Sequence, residues 1–380
     1  MYLSHIDLQG IRNVSEASFD LSPGINIFFG ENGSGKTSLL EAIYLLGRGR
    51  TFRTRHTNSL INHKIKKCTV VSSVIGDEGS VWGNSYTVGV SREVSGGFQF
   101  KVAGSRINSA ASLSQAIPLL LMNKDSFQLL EGSPGVRRRF LDWGVFHVEQ
   151  PFQSIWKQFQ RVLQQRNSLL RRDRISRSEL VPWDESFVTL SLQITEMRQR
   201  YFDQAQLIFQ DFILKLTNIE GVKITFFEGW DTRQALSNLL KLGFEKDIAR
   251  RTTLLGPHKA NIRIYIGPRP AVEVLSRGQI KSLVTALILA QGHVLESLTK
   301  RRCAYLLDDL ASELDSLHLE RTAALLKDTQ AQVFITGADR QPLEQAFLPL
   351  LDNEVALFHV EQGSVSPINY GLSKGEPFNE

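Results

Sequence analysis

The chain contains one complete phosphate-binding loop, and this motif restricts the fold more than any other feature. Residues 30–37 read Gly-Glu-Asn-Gly-Ser-Gly-Lys-Thr, which matches the pattern G-x-x-x-x-G-K-[ST]. The apolar run Ile25–Phe29 precedes the loop and predicts a strand, whereas residues 37–43 follow it with the apolar spacing of a helix. The sequence therefore predicts an α/β fold in which a strand, a loop and a helix bind a nucleotide.

Each part of the loop has an expected role. The glycines permit tight turns, so that several backbone N–H groups point at one anion, and the start of the helix adds partial positive charge. Lys36 is expected to reach the β- and γ-phosphates, and Thr37 to hold Mg²⁺ through its hydroxyl. An ordinary glycine-rich turn is the alternative interpretation. The predicted nucleotide-binding residues of the loop are Gly30, Glu31, Asn32, Gly33, Ser34, Gly35, Lys36 and Thr37.

Composition narrows the class of protein. With 380 residues, 42% hydrophobic and 22% charged, the chain has the make-up of a soluble globular protein with two structural units. We expect no membrane partner, because the apolar stretches look too short and interrupted to cross a bilayer. Two cysteines, Cys68 and Cys303, fit a reducing compartment, and the first ten residues carry no secretory signal pattern. The expected location is the cytoplasm.

The distribution of charge indicates a polyanionic partner. The net charge is +5, and between Lys157 and Glu179 seven cations face only two acidic residues. The excess of positive charge in this segment equals the net charge of the whole chain, so we expect the charges of the rest of the protein to be balanced. A basic stripe suits the phosphates of DNA or RNA, but a solvated helix face remains open as an alternative. The predicted DNA contacts are Arg171, Arg172 and Arg174.

The order of strand and helix patterns predicts an insertion. Residues 1–133 are expected to form an N-terminal lobe with the phosphate loop, and residues 251–380 a C-terminal lobe. Residues 134–250 read as a mostly helical arm, broken near Val181-Pro182-Trp183 and by a strand at Val222–Phe227. The fold class is therefore α/β, with one head formed by the N- and C-terminal parts of the chain.

Two further motifs complete a split nucleotide site. Leu275-Ser276-Arg277-Gly278-Gln279 precedes a helical run, where Ser276 can cap the helix and Gly278 permits close approach of an anion. The buried-strand pattern 303–307 ends in Asp308-Asp309. Asp308 is expected to bind Mg²⁺, and Asp309 to orient or deprotonate the attacking water. Two loop aspartates that cap the next helix are the alternative.

The order of these motifs is that of ABC-type ATPases. In that class the Leu-Ser-x-Gly-Gln loop of one subunit covers the γ-phosphate bound by the other, so we expect an ATP-dependent homodimer. A GTPase is disfavoured, because Asn123-Lys124-Asp125 falls one residue short of a guanine-reading motif. An ABC transporter's ATPase subunit is the alternative function. The roughly 240 residues between Lys36 and Ser276 argue against it.

Several segments together resemble the RecF family of bacterial recombination mediators, relatives of the SMC proteins. The resemblance implies an ABC-type P-loop ATPase head with a short helical arm, ATP-driven dimerisation and binding of single-stranded, duplex and gapped DNA. It also implies work with RecO and RecR in RecA loading at single-strand gaps, in replication and in the SOS response. Arg12 is placed near the nucleotide by resemblance alone. The segments that carry the resemblance are 47–53, 132–134, 137–144, 256–259, 275–279, 308–309 and 312–315.

Two departures from the general ABC pattern affect the expected chemistry. Asp309 stands where transport ATPases place Glu; the shorter side chain predicts slow hydrolysis, that of a switch rather than a motor. No histidine follows the last strand at Thr336-Gly337, where transporters carry a γ-phosphate sensor. For two arginine groups the sequence leaves DNA contact and packing within the head open as alternatives. These groups are Arg137, Arg138 and Arg139, and Arg48, Arg50 and Arg53.

Overall fold

A computed structural model of the chain describes residues 1–54, 56–347, 349 and 355–368. Residues 369–380 of the predicted C-terminal lobe lie outside this part of the chain. The strands are β1 Tyr2–Ile11, β2 Val14–Asp20, β3 Ile25–Phe29, β4 Lys67–Ile75, β5 Ser85–Glu93, β6 Phe98–Val102, β7 Ser105–Ile107, β8 Leu119–Met122, β9 Val222–Phe227, β10 Asn261–Ile266, β11 Arg269–Pro270, β12 Ala304–Leu307, β13 Val333–Gly337, β14 Val355–Glu361 and β15 Ser364–Ile368. The helices are α1 Lys36–Arg48, α2 Ala110–Ala116, α3 Gln128–Glu131, α4 Pro134–Val148, α5 Phe152–Leu170, α6 Arg177–Thr217, α7 Leu236–Leu242, α8 Phe244–Arg250, α9 Ala271–Val274, α10 Arg277–Thr299, α11 Leu310–Glu313, α12 Ser316–Asp328 and α13 Arg340–Phe347.

The chain divides into two compact units. The first unit contains Met1–Lys124 and Lys300–Glu380, and the second contains Asp125–Thr299. The units begin and end elsewhere than the predicted lobes and arm. Residues 251–299 group with the helical segment because β10 pairs with β9 and α10 packs along α6. The predicted boundaries 133/134 and 250/251 describe lobes of the head, which a division into compact units does not test. They therefore stay a prediction.

A largely parallel sheet forms the base of the nucleotide-site region in the first unit. Its strand order is β15-β14-β3-β13-β12-β8, in which β14, β3, β13, β12 and β8 are parallel and β15 is an antiparallel edge. Strands β3, β12 and β13 are almost wholly buried, as their continuous apolar runs predict. Because the strands are parallel, the ends of β3, β12 and β13 lie at one edge of the sheet, where loops meet ligands.

A second, antiparallel sheet completes the first unit, with the order β2-β1-β4-β5-β6-β7. Helix α1 contacts strands of both sheets, among them β4 and β13. Its buried residues include Leu39, Leu40, Ile43 and Leu46, which join one hydrophobic core with side chains from both sheets. This packing fixes the helix that begins directly after the phosphate loop.

The second unit consists of packed helices and a small sheet. Helices α5 and α10 pack along the long helix α6, and a three-stranded sheet has the order β11-β10-β9. The expected break near Pro182 was wrong, because α6 runs unbroken from Arg177 to Thr217. Pro182 lies in the second turn of the helix, is exposed, and removes only one backbone donor there.

The segment 137–144 is explained by packing within the second unit. Arg137 donates to the carbonyl of Gly132 at 2.9 Å, and Arg138 to that of Ala260 at 2.8 Å. Asp142 accepts two hydrogen bonds, at 2.8 and 2.9 Å, from a fully buried arginine, Arg198. For Arg137 and Arg138 these contacts favour the packing alternative.

Within the part of the chain that the structure describes, one helix is long and apolar enough to cross a membrane by length and composition alone. Helix α10 has a window of mean hydropathy 1.2, and 72% of that window is buried inside the protein. The expectation that no stretch is long and apolar enough was therefore wrong for this helix. Its burial is that of a helix in the core of the protein.

Candidate nucleotide-binding site

Three side chains meet at the edge where the parallel strands of the first unit end. Asp308 follows β12, Thr336 lies in β13, and Thr37 belongs to the first turn of α1. The Thr37 hydroxyl donates to Asp308 Oδ1 at 3.0 Å, and the Thr336 hydroxyl donates to the same oxygen at 2.9 Å. The predicted metal-binding pair, Thr37 and Asp308, is thus brought together although 271 positions separate the two residues.

The backbone of the phosphate loop follows a path that glycine permits. Gly30, Gly33 and Gly35 all have positive φ, at 148°, 83° and 124°. A Cβ at Gly30 would lie 2.2 Å from the carbonyl oxygen of Val360, so no larger residue fits there. A Cβ placed at Gly33 would have no heavy atom of the described residues beyond its chain neighbours within 4 Å, which leaves space for a ligand on that side.

Lys36 turns back over the loop. Its Nζ donates to the carbonyls of Gly30 at 2.6 Å and Glu31 at 2.8 Å. Partial burial lowers the pKa of Lys36, opposed by the nearby charges of Asp309 and Asp308. The ammonium is therefore held at the loop by contacts that an incoming phosphate can replace.

Asn13 supports the loop from the first hairpin. Its amide nitrogen donates to the carbonyl of Ser34 at 3.0 Å, and its amide oxygen accepts from the Ser38 hydroxyl at 3.0 Å. Asn13 thereby joins the hairpin β1–β2 to the loop and to α1. The sequence offered only its place beside Arg12 as a signal for this role.

A cavity of about 800 Å³ opens beside the loop. Its volume suits a nucleotide, since ligand pockets typically measure about 300–1,000 Å³. Several of the predicted site residues line it, together with polar residues of the segment that follows α1. The lining residues include Arg12, Asn13, Asn32, Gly33, Gly35, Lys36, Thr37, Arg53, Asn58, Ser59, His63, Lys66, Asp309 and Thr336.

The residues present fit a phosphate chain and a magnesium ion. The Ser34 hydroxyl is buried and has no hydrogen-bond partner within the described ranges. The first N–H groups of α1 have no partner inside the helix and can serve an anion. Among those same ranges no cluster of three or more His, Cys, Asp or Glu side chains could hold a metal. One hydroxyl and one carboxylate match Mg²⁺, which takes its other ligands from phosphates and water.

The two acidic residues differ in their surroundings. Burial raises the pKa of Asp308, although the hydrogen bonds from Thr336 and Thr37 act in the opposite direction. Asp309 is exposed and adopts a left-handed backbone conformation, with φ 56°. Its N–H donates to the Thr336 hydroxyl at 2.9 Å, and its Oδ2 accepts from the Ser312 hydroxyl at 2.7 Å. Asp309 is thus oriented at the cavity by two neighbours.

Arg12 lines the cavity, but its guanidinium is bound to protein groups. It donates to both carboxylate oxygens of the buried Glu41 in α1, at 2.8 and 2.9 Å. It also donates to the carbonyl of Ser59 at 2.7 Å. Arg12 therefore connects α1 to the segment that contains Ser59, and its predicted contact with the nucleotide stays a prediction.

The signature segment belongs to the second unit and is exposed. The Ser276 N–H donates to Gln279 Oε1 at 2.9 Å, and the Gln279 N–H donates to the Ser276 hydroxyl at 3.3 Å. This reciprocal pair is a capping box at the start of α10. Nothing lies within 4 Å of a Cβ placed at Gly278. Ser276 and Gly278 are thus exposed and accessible to a ligand.

The predicted DNA contacts lie at the turn between α5 and α6. Arg171, Arg172 and Arg174 are all exposed, and Arg172 lies 3.6 Å from Glu179. Arg166, counted from the sequence among the seven cations of this segment, is fully buried. It pairs with Asp184 and Asp247, each at 2.7 Å. Counting Arg166 as part of a surface stripe was therefore wrong, because the sequence does not reveal internal ion pairs.

Sequence reasoning missed two residues of the site. Thr336 contacts both aspartates, and Ser312 contacts Asp309. The position of Thr336 directly after the apolar run of β13 was the available signal. For Ser312 the only signal was its spacing of three residues from Asp309.

Comparisons with known proteins agree with this arrangement. The model of the family described as "RecF/RecN/SMC N terminal domain" matches residues 2–366. The "DNA replication and repair protein RecF" of Pseudomonas syringae pv. tomato is 42% identical over 366 residues, which cover 96% of this chain and 98% of the relative. The protein of the same name from Azotobacter vinelandii is 41% identical over the same shares.

Solved structures show the same fold. A structure of the recombination mediator protein RecF with ATP, described as part of the RecFOR pathway, has a TM-score of 0.83 at 23% identity, with 97% of this chain and 98% of that chain covered. An Smc head bound to the C-winged helix domain of ScpA has a TM-score of 0.60 at 15% identity, over 98% of this chain and 99% of that chain. The fold is that of an ABC-type ATPase head, and the alternative of a transporter subunit gains no support. By its matches over nearly the whole sequence, the chain belongs to the RecF family.

Proposed function

We propose that this protein is an ATP-dependent DNA-binding protein of recombinational repair, in which ATP-driven dimerisation gates DNA binding. The observation that carries the proposal is the meeting of Thr37, Asp308 and Thr336 beside a complete phosphate loop. Relatives that match almost the whole chain are named for DNA replication and repair. A similar solved structure is described with ATP.

The chain's own residues have distinct roles in this proposal. The loop N–H groups and Lys36 bind the phosphates, which requires Lys36 to leave the carbonyls of Gly30 and Glu31. Thr37 and Asp308 hold Mg²⁺, which supplies charge neutralisation at the phosphates. Asp309 accepts a proton from, or orients, the attacking water. Its short side chain makes hydrolysis slow, so that the protein acts as a switch.

Dimerisation follows from the division of the site. Each chain carries one phosphate loop and one signature segment, and Ser276 and Gly278 are exposed at the start of α10. In an ATP-bound dimer, this segment of one subunit covers the γ-phosphate held by the other. Nucleotide then joins the two subunits, and its hydrolysis releases them.

The partners follow from the family. DNA is the substrate, as single strands, duplex and gap junctions, and Arg171, Arg172 and Arg174 are proposed contacts. We propose that RecO and RecR act with the dimer to load RecA at single-strand gaps in the cytoplasm, during replication and the SOS response. The RecFOR pathway in the description of the similar structure supports this assignment.

The test combines light scattering with fluorescence anisotropy on single-stranded, duplex and gapped DNA, each with ATP, ADP or no nucleotide. We expect ATP alone to double the mass and tighten DNA binding, and Lys36→Ala to abolish both effects. Ser276→Ala is the matched variant, which should impair dimerisation while each chain still binds ATP. Loss of nucleotide binding in Ser276→Ala would contradict the split site. Doubled mass without DNA binding would contradict the DNA function and retain the ATPase head.

A further inference from the structure

We infer that residues 48–54 and 56–67 of the first unit form a docking surface for the phosphate backbone of DNA beside the nucleotide cavity. This inference rests on the proposed function. Residues 42–76 contain seven Lys and Arg residues and no Asp or Glu. This excess of positive charge is larger than that of the arm segment, residues 157–179, and larger than the net charge of +5 of the whole chain. The rest of the chain does sum to zero charge, as expected, but its cations and acids are unevenly distributed along the sequence.

Five cations of this segment face solvent. Arg50, Arg53, Lys64, Lys66 and Lys67 are exposed, and none of them forms an ion pair with a residue in the described part of the chain. The arm turn differs, because Arg172 has Glu179 beside it and Asp173 lies within the turn. Unpaired surface cations are those that release counterions when they meet phosphates.

Acidic side chains lie near two of these cations, and one of the two is Arg53, which interacts electrostatically with Asp308. Lys67 lies opposite Glu93 in the ladder between β4 and β5, so its charge is partly balanced there. At the neighbouring position of β5, Arg92 donates to the Asn58 side chain at 2.9 Å and adds a further cation. Arg50 and Lys64 have no acidic partner among the described side chains. They are therefore the two cations whose loss should affect DNA alone.

The backbone of the surface is held in place by the hairpin β1–β2. The Arg12 N–H donates to the carbonyl of Leu60 at 2.8 Å, and the Asn62 N–H donates to that of Gly10 at 2.9 Å. Leu60 and Ile61 are buried and anchor the segment in the core of the first unit. A surface that is already ordered loses little entropy on binding.

The chemistry favours nucleic acid over an acidic protein. Within 48–67, the described side chains include no large exposed hydrophobic residue. Protein interfaces depend on aromatic and apolar anchors, and this surface offers none. Between the cations it presents Thr54, Thr57, Asn58 and Ser59, whose hydroxyl and amide groups are common partners of DNA phosphates.

The same segment forms one wall of the nucleotide cavity. Arg53, Asn58, Ser59, His63 and Lys66 line the cavity, whereas Arg50 and Lys64 do not. Arg12 joins Ser59 to Glu41 in α1, the helix that starts at the phosphate loop. Nucleotide and DNA thus share a segment within one chain, which gives a direct route by which one ligand changes the affinity for the other.

The test uses the full chain with ATP and Mg²⁺ and measures duplex DNA affinity by anisotropy over a range of salt. Arg50→Ala/Lys64→Ala removes two cations outside the cavity. Lys241→Ala/Lys327→Ala, which removes two exposed lysines elsewhere, is the matched control. A fluorescent ATP analogue checks that nucleotide affinity is unchanged in both.

We expect the salt dependence of log K to become about 1.8 units less steep in the Arg50/Lys64 variant, since each phosphate contact contributes about 0.9. At 0.1 M salt this corresponds to about 60-fold weaker binding. The control should keep the wild-type slope. An unchanged slope in the Arg50/Lys64 variant would overturn the inference and leave the proposed function standing. Unchanged DNA affinity with weaker binding of RecR or RecO would assign the surface to a protein and also overturn it. If the wild-type chain binds no DNA, the proposed function fails as well.

Discussion

His258 should make the second unit sensitive to acid. Its Nε2 lies 2.9 Å from the carbonyl oxygen of Thr253, so this nitrogen carries the proton and donates. Nδ1 is buried and has no partner among the side chains described. Burial lowers the pKa of His258 to about 4, with the charges of Lys259, Arg138 and Arg166 adding to the effect of burial. The folded protein therefore holds a neutral imidazole well below the pH at which the unfolded chain takes up a proton.

The pKa difference between the folded and unfolded chain sets the sign and the size of the change in stability with pH. The unfolded chain binds this proton below its ordinary pKa of 6.5, whereas the folded chain binds it only near 4. The free energy of unfolding therefore decreases as the pH falls from 6.5 to 4. The whole decrease is about 3 kcal/mol, and about 2 kcal/mol of it occurs between pH 7 and pH 5. Asp247 has the opposite effect on stability at lower pH. Burial raises its pKa, so the folded chain takes up this proton at a higher pH than the unfolded chain does, and protonation stabilises the fold.

Urea unfolding followed by tryptophan fluorescence measures this loss, because four of the five tryptophans belong to the second unit. His258→Gln keeps a donor for the Thr253 carbonyl but cannot titrate. Between pH 7 and pH 5 the wild type should lose about 2 kcal/mol more than the variant. Asp247 and the other histidines are common to both proteins, so their contributions cancel in the comparison. Equal losses in the two proteins would refute the assignment of a neutral, buried His258.

Two further predictions concern the nucleotide site. Thr336→Val removes the hydroxyl that donates to Asp308 and accepts from the Asp309 N–H. We expect about tenfold weaker ATP binding with Mg²⁺ but not without it, since a hydrogen bond to a charged group contributes about 1.5–3 kcal/mol. Calorimetric titration measures the ATP affinity with and without Mg²⁺. Thr336→Ser, which keeps the hydroxyl, should have the wild-type ATP affinity with Mg²⁺. If Thr336→Val weakened ATP binding equally without Mg²⁺, this would count against a role of Thr336 at the metal. Asp309→Ala should stop a hydrolysis that is already slow, below roughly ten per second in the wild type, and leave ATP-driven dimerisation intact. A phosphate-release assay that finds unchanged turnover would favour a clamp that makes no use of hydrolysis.

Much of the first unit could be predicted because its signals are local. Strand β3 has the predicted bounds, as does β9 of the second unit, since continuous or alternating apolar runs between turn residues identify a strand. Strand β8 was missed. Its four residues are apolar, but only pairing with β12 makes them a strand, and the sequence carries no signal for that distant partner.

The geometry of the site was predictable in part for the same reason. The phosphate loop and the acidic strand end are local motifs, and parallel pairing through β13 brings their two strands to one edge. Ser312 and Thr336 act through side-chain hydrogen bonds that depend on exact placement. Charge was the least predictable property. Arg166 and Arg50 look alike in the sequence, yet Arg166 is buried in ion pairs and Arg50 faces solvent.

Arg12 links the nucleotide site to the basic surface. It was predicted to contact the nucleotide, whereas its guanidinium binds Glu41 in α1 and Ser59 in the basic surface. A shift of α1 on nucleotide binding would therefore act on Ser59 through this one side chain. If ATP tightens DNA binding by some factor, thermodynamic reciprocity requires DNA to tighten ATP binding by the same factor. The part of that coupling that passes through Arg12 lies within one chain, so Ser276→Ala, which impairs dimerisation, should weaken the coupling without abolishing it.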